Sequence, residues 1–570
     1  MNNKPTYPLL CLLCIPVMYA FTGCSTSHYR ERADNQVYGI LEEKDEHILG
    51  MPLDRDIGTP WSERDPDEIS DEEVIGDRRG IQRLEMDMSD ALGLAFTNSR
   101  EYQTRKENLY LSALDLTRQQ HEFSPRFFGR SEVSTERTPD GERVGRVSNQ
   151  IGVDQALQSG ARIGASIAND LTEFFTGDPR RSASTLLSLN LVQPLLRGRG
   201  AAIVAENLTQ AERDVIYEIR DFSRFQQTFS VRIVSSYYRI LQQKDVVRNQ
   251  YNSYQNLTLA RERAEALAED RLPEFQVDQA RQSELSARNS YILAVERYQA
   301  TLDQFKLELG LPLGYEILLN DAPLHDLLEA GLIPVGVGEE ESISLAVETR
   351  MDLLNEIDRF EDSKRKILVA ANQLQPGLNI FASTSLRSDP PTDYASFDFS
   401  NYRASAGLSL DLPFDRLAER NAYRSTLIQF ERQIRTLALN VDQVKNELRQ
   451  ALRTIDQAQQ TYEIQQRSVE LAERRVESAE LLLEAGRAEI RDQLEAEAAL
   501  LGARNALTQA LINYHIARYE FFRDVGLLET DEEGIWIRQL LAGAPEGIPP
   551  TLDIDILPPI DVIAPEELFN

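Results

Sequence analysis

The sequence predicts a mainly α-helical fold with transmembrane β-structure, built from two copies of a long antiparallel helical hairpin. Three observations lead to this prediction. Two segments run for many helical turns without Gly or Pro, each is followed by a shorter helical segment, and the segments between helices alternate apolar with polar residues. The net charge of −31 over 570 residues argues against a nucleic-acid partner.

The longest helical segment lies between Pro413 and Gly486. Inside it, apolar or small residues recur at alternating steps of three and four, with Gln465 as the one polar member. Such a heptad seam indicates a helix that packs lengthwise against partners. At about 1.5 Å per residue it is roughly 105 Å long, whereas a bilayer core is only about 30 Å thick. The seam comprises Val441, Val444, Leu448, Ala451, Ile455, Ala458, Tyr462, Gln465, Val469, Ala472, Val476, Ala479 and Leu483.

Two shorter helices are predicted to cover this rod. Arg487 to about Val525 returns along one part of it, and Glu339–Gln375 fits the remainder. The first half of the chain repeats the arrangement, with a long helix at Ala201–Leu272, a return arm at Glu274–Leu309 and a free helix at Leu94–Ser124. The chain is therefore predicted to be an internal duplication.

Segments between the helices alternate in the manner of strands. The alternation is clear at 378–387, 402–411 and 183–192, and weaker at 127–136. Segments of about ten residues with one apolar and one polar face are typical of a transmembrane β-barrel. Pattern alone allows a soluble half-buried sheet equally well; the export signal and the rods standing in water favour the membrane.

The N-terminus is predicted to be an export signal. Lys4 is its one charge, Leu9–Ala20 forms an apolar core, and residues 21–24 read Phe-Thr-Gly-Cys. This end resembles a bacterial lipobox, which would place a lipid on Cys24; a plain secretory signal is the alternative. Cys11 and Cys14 lie inside the apolar core, so we predict no metal or redox site there.

The sequence offers no catalytic, cofactor-binding or metal site, and we predict that the protein is not an enzyme. The five His residues are scattered, and no phosphate-binding, dinucleotide or nucleophile-elbow motif is present. Asp492 and Glu495 lie three residues apart on one helix face and suggest a carboxylate-pair hydrolase. Their place at a coiled-coil tip, without an aromatic pocket, argues against that activity.

Several short motifs recur in order and in duplicate where strands meet helices. They are Ser89–Leu92 with Asn98, Gln193–Gly198, Leu309–Pro312, Arg350–Leu354 and Leu412–Phe414. In these motifs, across roughly residues 88–528, the chain resembles the TolC-type outer-membrane efflux protein family. The resemblance implies a homotrimer in which each protomer gives four strands to one outer-membrane barrel and its helices to a periplasmic tunnel. It implies no cofactor, and partners that are a periplasmic adaptor, an inner-membrane transporter and outer-membrane lipid.

A periplasmic coiled-coil lipoprotein scaffold without a pore is the alternative function.

The sequence and the resemblance together give a domain plan. The tail is predicted to be extended or disordered, with a packed strap as the alternative. The predicted units are a signal peptide at 1–23, an acidic tether at 24–88, a first repeat at 89–312, a linker at 313–338, a second repeat at 339–528 and a Pro-rich acidic tail at 529–570.

The two helix turns are the candidate functional positions. The resemblance implies that Asp492 and Glu495 narrow the tunnel, whereas a solvated helix face is the alternative. It places adaptor docking at the tips, and the first turn departs from the family pattern because Asp270 replaces a Gly and Gln276 replaces an acidic residue. The predicted tip residues are Asp270, Arg271, Leu272, Gly486, Arg487 and Ala488.

One insertion departs from the duplicated plan. The segment Pro125–Pro194 is much longer than Pro376–Pro413. The excess near 146–173 resembles a hairpin about Ser159–Gly160, and we expect a large extracellular loop, with added barrel strands as the alternative. Outside this insertion, four strands are too few to close a barrel, which predicts an obligate oligomer.

Overall fold

The computed structural model describes residues 25–50, 55–176, 181–268, 273–388, 396–530 and 534–537. The predicted signal peptide, Cys24 and most of the tail lie outside these ranges. The helices are α1 Thr26–Leu49, α2 Asp71–Asp77, α3 Met88–Asn98, α4 Arg100–His121, α5 Ala201–Val204, α6 Glu206–Ala268, α7 Glu274–Glu308, α8 Ala322–Ala330, α9 Glu339–Thr349, α10 Met351–Gln373, α11 Leu417–Glu484 and α12 Ile490–Val525. The strands are β1 Arg83–Met86, β2 Arg126–Arg137, β3 Arg143–Ala156, β4 Arg162–Phe174, β5 Arg181–Pro194, β6 Glu316–Leu319, β7 Gly377–Arg387, β8 Tyr402–Asp411, β9 Leu528–Thr530 and β10 Ile535–Ile537.

The duplicated helical plan is confirmed. Helix α6 has 63 residues and α11 has 68, and each is followed by a return helix, α7 with 35 residues and α12 with 36. The free helices α4 and α10 cover the rest of the long helices. The buried residues of α11 all belong to the predicted seam: Val444, Leu448, Ile455, Ala472 and Ala479. The heptad pattern thus fixes which side of this helix is covered.

The main core is built chiefly from buried residues of α1, α3, α4, α6, α7, α8 and α12. Aromatic side chains of α3, α4 and α6 pack there in tilted pairs, with ring centroids 4.9 Å apart for Phe96 and Tyr102 and 5.4 Å apart for Tyr102 and Phe229. The parallel pair β1–β6 lies beside this core and joins the start of the first repeat to its end. Among the described residues, no helix is long and apolar enough to cross a membrane.

The large sheet corrects one expectation. Its order is β2-β3-β4-β5-β7-β8, with every neighbouring pair antiparallel. Residues 146–173, which we expected to form an extracellular loop, lie in β3, β4 and the turn between them, in the middle of this sheet. The sheet therefore has six strands rather than the four predicted. The inserted residues alternate between apolar and polar side chains in step with those of β2 and β5. They can therefore pair with both strands through backbone hydrogen bonds while each face keeps its chemistry.

The segment predicted as a tether is folded over much of its length. Ser25 caps α1, and Val37 and Leu41 are fully buried against the main core. Arg55 then closes a buried ion pair with Asp45, with Nε 2.8 Å from Oδ2. Tyr38, Ile40, Ile48 and Leu49 of the same helix pack partly against the core. So few apolar residues in a polar segment are too weak a signal to identify a docked helix from the sequence. At the junction of the second repeat and the predicted tail, residues 528–530 and 535–537 form a short antiparallel pair.

Candidate membrane sheet and tunnel tips

The two faces of the six-stranded sheet differ in chemistry. Residues directly opposite in neighbouring strands point to the same side, so the register assigns every position to a face. In the described strands, most charged residues away from the strand ends fall on one face: Arg130, Glu132, Arg146, Asp154, Asp170 and Arg403. Glu173, near the end of β4, lies on the other face. The opposite face carries mostly apolar side chains, among them Phe127, Val133, Ile151, Ile163, Ile167, Leu187, Leu189, Leu191, Ile380, Leu408 and Leu410. One apolar and one charged face is the arrangement of strands between lipid and a watery lumen.

The turn between α11 and α12 forms the second helix tip. Gly486 has φ of 69°, the left-handed conformation that Gly adopts without cost, and it ends the long helix. The Glu489 and Asp492 side chains then form a capping box, in which the Glu489 amide donates to Asp492 Oδ2 at 3.1 Å. Gly486 and Arg487 are exposed and Ala488 is half-buried, as docking surfaces require.

The predicted constriction residues lie close together in the first turn of α12. Asp492 is half-buried in its capping role. Glu495 is exposed, with Oε2 3.6 Å from an Arg475 nitrogen and Oε1 3.8 Å from Arg491 Nε. Each predicted carboxylate thus has a local partner within the protomer. The predicted residues of the first tip, Asp270, Arg271 and Leu272, lie outside the described residues.

A small apolar cluster joins the two hairpins near their tips, and sequence reasoning missed it. Ile490 is 2% exposed and Leu494 is 9% exposed, and they pack against three Ala residues of α6 and α7. The cluster consists of Ala260, Ala264, Ala280, Ile490 and Leu494. Beside it, Arg263 on α6 forms an exposed ion pair with Glu480 on α11, at 2.7 Å. The recurrence of Ala at heptad spacing was the signal for close helix approach.

Comparison with known proteins identifies the fold. The family described as outer membrane efflux protein matches residues 342–523. Residues 342–523 are therefore similar to this family, in agreement with the resemblance seen in the sequence. No curated protein sequence matches the chain.

Solved outer-membrane channels share the architecture of the chain. The CmeC channel of Campylobacter jejuni is 15% identical with a TM-score of 0.56, and the match covers 77% of this chain and 85% of that one. The open-state MtrE channel of Neisseria gonorrhoeae is 12% identical with a TM-score of 0.55, covering 77% and 88%. VceC of Vibrio cholerae is 14% identical with a TM-score of 0.56, covering 77% and 96%. At such identities the likeness shows the fold, and the predicted fold class and family are confirmed.

In the helical body, a buried carboxylate links the two repeats. The Asp362 side chain on α10 is 3% exposed. Tyr217 of α6 donates its hydroxyl to Asp362 Oδ2 at 2.6 Å, and Arg213 and Arg365 lie 2.9 and 2.7 Å from Oδ1. Burial by itself raises the pKa of Asp362, but hydrogen bonds from Tyr217 and Arg365 outweigh it and hold the pKa below its ordinary value.

The Arg350 motif forms a second buried cluster of ion pairs, within the second repeat. The Arg350 guanidinium is 7% exposed, and its Nε lies 2.8 Å from Asp352 Oδ1. Its Nη1 lies 2.7 Å from Glu447 on α11. The start of α10 is thereby tied to the long helix, so this family motif has a structural role in holding the repeat together.

Proposed function

We propose that the chain is the protomer of a homotrimeric outer-membrane channel for efflux or export. Its helical tips dock through a periplasmic adaptor on an inner-membrane transporter. The observation that carries the proposal is the large sheet, with its apolar face and its two edges, β2 and β8, which have no strand partner among the described residues. An unpaired sheet edge is not tolerated in lipid, so other protomers must close it.

The proposed oligomer is tested by mass measurement. Purified protein in mild detergent should give the mass of three chains by light scattering with detergent correction. A folded monomer with intact β-structure would contradict the proposal, because six strands cannot close around a lumen lined by side chains.

We propose further that Cys24 carries lipid at the inner surface of the outer membrane. Helix α1 runs antiparallel to α4, because Tyr110 donates to Asp34 at 2.7 Å and Gln103 donates to the Ile57 carbonyl at 2.8 Å. The start of α1 therefore points toward the end of α4, from which β2 enters the sheet. Position 24 directly precedes this end, which supports an anchor at the membrane surface.

Mass spectrometry of the mature N-terminus tests the anchor. A diacyl or triacyl modification on Cys24 is expected, and Cys24→Ser should abolish it while leaving assembled channel. An unmodified Cys24 would rule the anchor out.

Three copies of Asp492 and Glu495 are proposed to surround the narrow periplasmic opening. Two carboxylates about 8 Å apart repel by about 2 kcal/mol at an effective dielectric near 20, so the ring should attract cations and favour their passage. Arg475 and Arg491 reduce this field through their contacts with Glu495. The expected selectivity is therefore moderate, and it should fall as salt screens the charges.

The test is the reversal potential in a planar bilayer under a salt gradient. Asp492→Asn with Glu495→Gln should bring the reversal potential closer to zero while the trimer survives. The matched control is Glu477→Gln with Glu484→Gln, two exposed carboxylates near the same tip, which should change it little. If the two double variants behave alike, the constriction lies elsewhere.

A further inference from the structure

The inserted pair β3–β4 has the dimensions of a membrane-spanning hairpin. β3 has 14 residues and β4 has 13, as long as β2 with 12 and β5 with 14. A tilted strand needs about 9–11 residues to cross a bilayer. Both strands are paired along nearly their whole length with neighbours on each side. The pair thus extends through the full height of the sheet.

The turn of the inserted pair lies at the helical end of the sheet. The Gly200 amide and the Gln193 side chain both donate to the Ser159 carbonyl, at 3.1 and 3.2 Å. Gly160 has φ of 93°, and a Cβ there would lie 2.4 Å from the Gly198 carbonyl oxygen. The segment 193–200 is where β5 leaves the sheet for the helical body, so the turn is docked on the periplasmic side. An extracellular loop would have its tip at the opposite end.

The inserted pair also carries the two-faced chemistry of the sheet. On its apolar side, Ile151 of β3 lies opposite Ile167 of β4, which in turn lies opposite Leu187 of β5. Val147 of β3 lies on the same side. On the charged side Arg146 and Asp170 approach to 3.9 Å.

An aromatic–glycine contact occurs near each edge of the sheet, once between β2 and β3 and once between β7 and β8. Phe128 of β2 lies over Gly152 of β3, where an added Cβ would lie 2.5 Å from the ring. Phe381 of β7 covers Gly407 of β8 in the same way, at 2.7 Å. Such pairs hold strand register, which indicates that the β2–β3 pairing is built like the β7–β8 pairing.

We infer that β3–β4 widens the membrane pore, so that three protomers close a barrel of eighteen strands. This inference rests on the proposed trimeric channel. With strands about 4.8 Å apart and tilted by about 40°, eighteen strands give a backbone radius of about 18 Å, and twelve would give about 12 Å. Half the spacing of packed sheets, about 5 Å, is taken up by side chains. The lumen radius is then about 13 Å rather than about 7 Å.

The wider lumen determines what the exit admits. Each protomer contributes four helices at any level of the tunnel, which makes twelve helices in the trimer. With about 10 Å between neighbouring helix axes, the ring of helix axes has a radius of about 19 Å. The barrel matches this width, so it does not restrict cargo that the tunnel holds. Selection by size then falls to the periplasmic tip.

Thiol labelling tests where the inserted hairpin turns. Gln158→Cys places an exposed thiol in the turn, and Asp140→Cys places one in the turn between β2 and β3. A membrane-impermeant maleimide applied to intact cells should label position 140 and not 158, and permeabilising the outer membrane should expose 158. The chain without an introduced Cys gives the background. Labelling of both positions in intact cells would overturn the inference.

Deletion of residues 143–180 supplies a matched narrow barrel. Arg137 pairs with Arg143 across the turn 138–142, and in the deletion residue 181 takes the place of 143. The interval is even, so each β5 residue keeps its face against β2. The variant should therefore form a hairpin of β2 and β5 and restore four strands per protomer.

Polymer exclusion in planar bilayers measures the lumen. Polyethylene glycol of about 10 Å radius, added on the extracellular side, should lower the conductance of the full-length channel and leave the deletion variant unaffected. A full-length exclusion radius near 7 Å would overturn the widening even if the variant fails to assemble. Where the variant does form a channel, equal radii for the two proteins would overturn it as well. Absence of any channel would instead contradict the proposed function, and the labelling result would still decide the hairpin.

Discussion

Ile490→Ala should loosen the tip more than the loss of any single tip ion pair. The Ile490 side chain is 2% exposed in a cluster that joins α12 to α6 and α7. Truncation removes three carbon groups at about 0.8 kcal/mol each, or about 2.4 kcal/mol, and at the tip water can fill the space left behind. The pair Arg263–Glu480 is 53% and 43% exposed, and such pairs contribute about 0.2–1 kcal/mol. The apolar contact therefore dominates.

The measurement is the open fraction of single channels in a planar bilayer. If the hairpins separate when the tunnel opens, the loss of about 2.4 kcal/mol shifts the equilibrium toward the open state by about 50-fold, since 1.4 kcal/mol is a factor of ten. Arg263→Ala should shift it by about twofold. Leu482→Ala removes a side chain that is 45% exposed near the same tip and serves as the control. Equal effects of Arg263→Ala and Ile490→Ala would refute the reasoning.

Two further predictions concern the stability of the protein in detergent, which is measured by thermal unfolding. Asp362→Asn leaves two arginines without their shared carboxylate and should lower the free energy of unfolding by about 2–3 kcal/mol. The loss is smaller than for a fully buried pair because the arginines are partly exposed. The control is Glu361→Gln, in an exposed pair with Lys364, which should lower it by under about 0.5 kcal/mol. Because the pKa of Asp362 is depressed from 3.8, its contribution is present above that pH and is lost as pH falls through the folded value. The Asn variant should therefore be less sensitive to acid, and an equally steep acid loss would contradict the assignment. His515 is buried with Nε2 3.1 Å from the Gly331 carbonyl oxygen, and burial lowers its pKa from 6.5. Wild-type stability should fall as pH drops below 6.5, and His515→Gln should flatten that fall; an unchanged slope would show that another group titrates.

The helical part of the fold could be predicted from the local periodicity of the sequence. The spacing of Val444, Leu448 and Ile455 named the covered side of α11, and all three are buried. The duplication followed from the same local signal, because a heptad seam and the absence of Gly and Pro are visible within a single segment. The turn at Gly486 was readable for the same reason, since a Gly after a long periodic segment marks a helix end.

Weak or long-range signals were not readable. Val37 and Leu41 alone gave no warning that the expected tether folds as α1 and packs on the core. Asp362 looked like any acidic residue of a solvated helix, because its partners Tyr217 and Arg213 lie far away in the sequence.

The sequence by itself determined the alternation of residues 143–174, and the tertiary structure decided where those strands go. Alternation records that a strand has two different faces, but it does not name the neighbouring strands. That choice depended on the register between β3 and β2, and on the docking of Ser159 and Gly160 against Gln193–Gly200. Both are contacts between segments that meet only in the folded chain, and the partners of a strand lie outside its own sequence, so local alternation cannot name them.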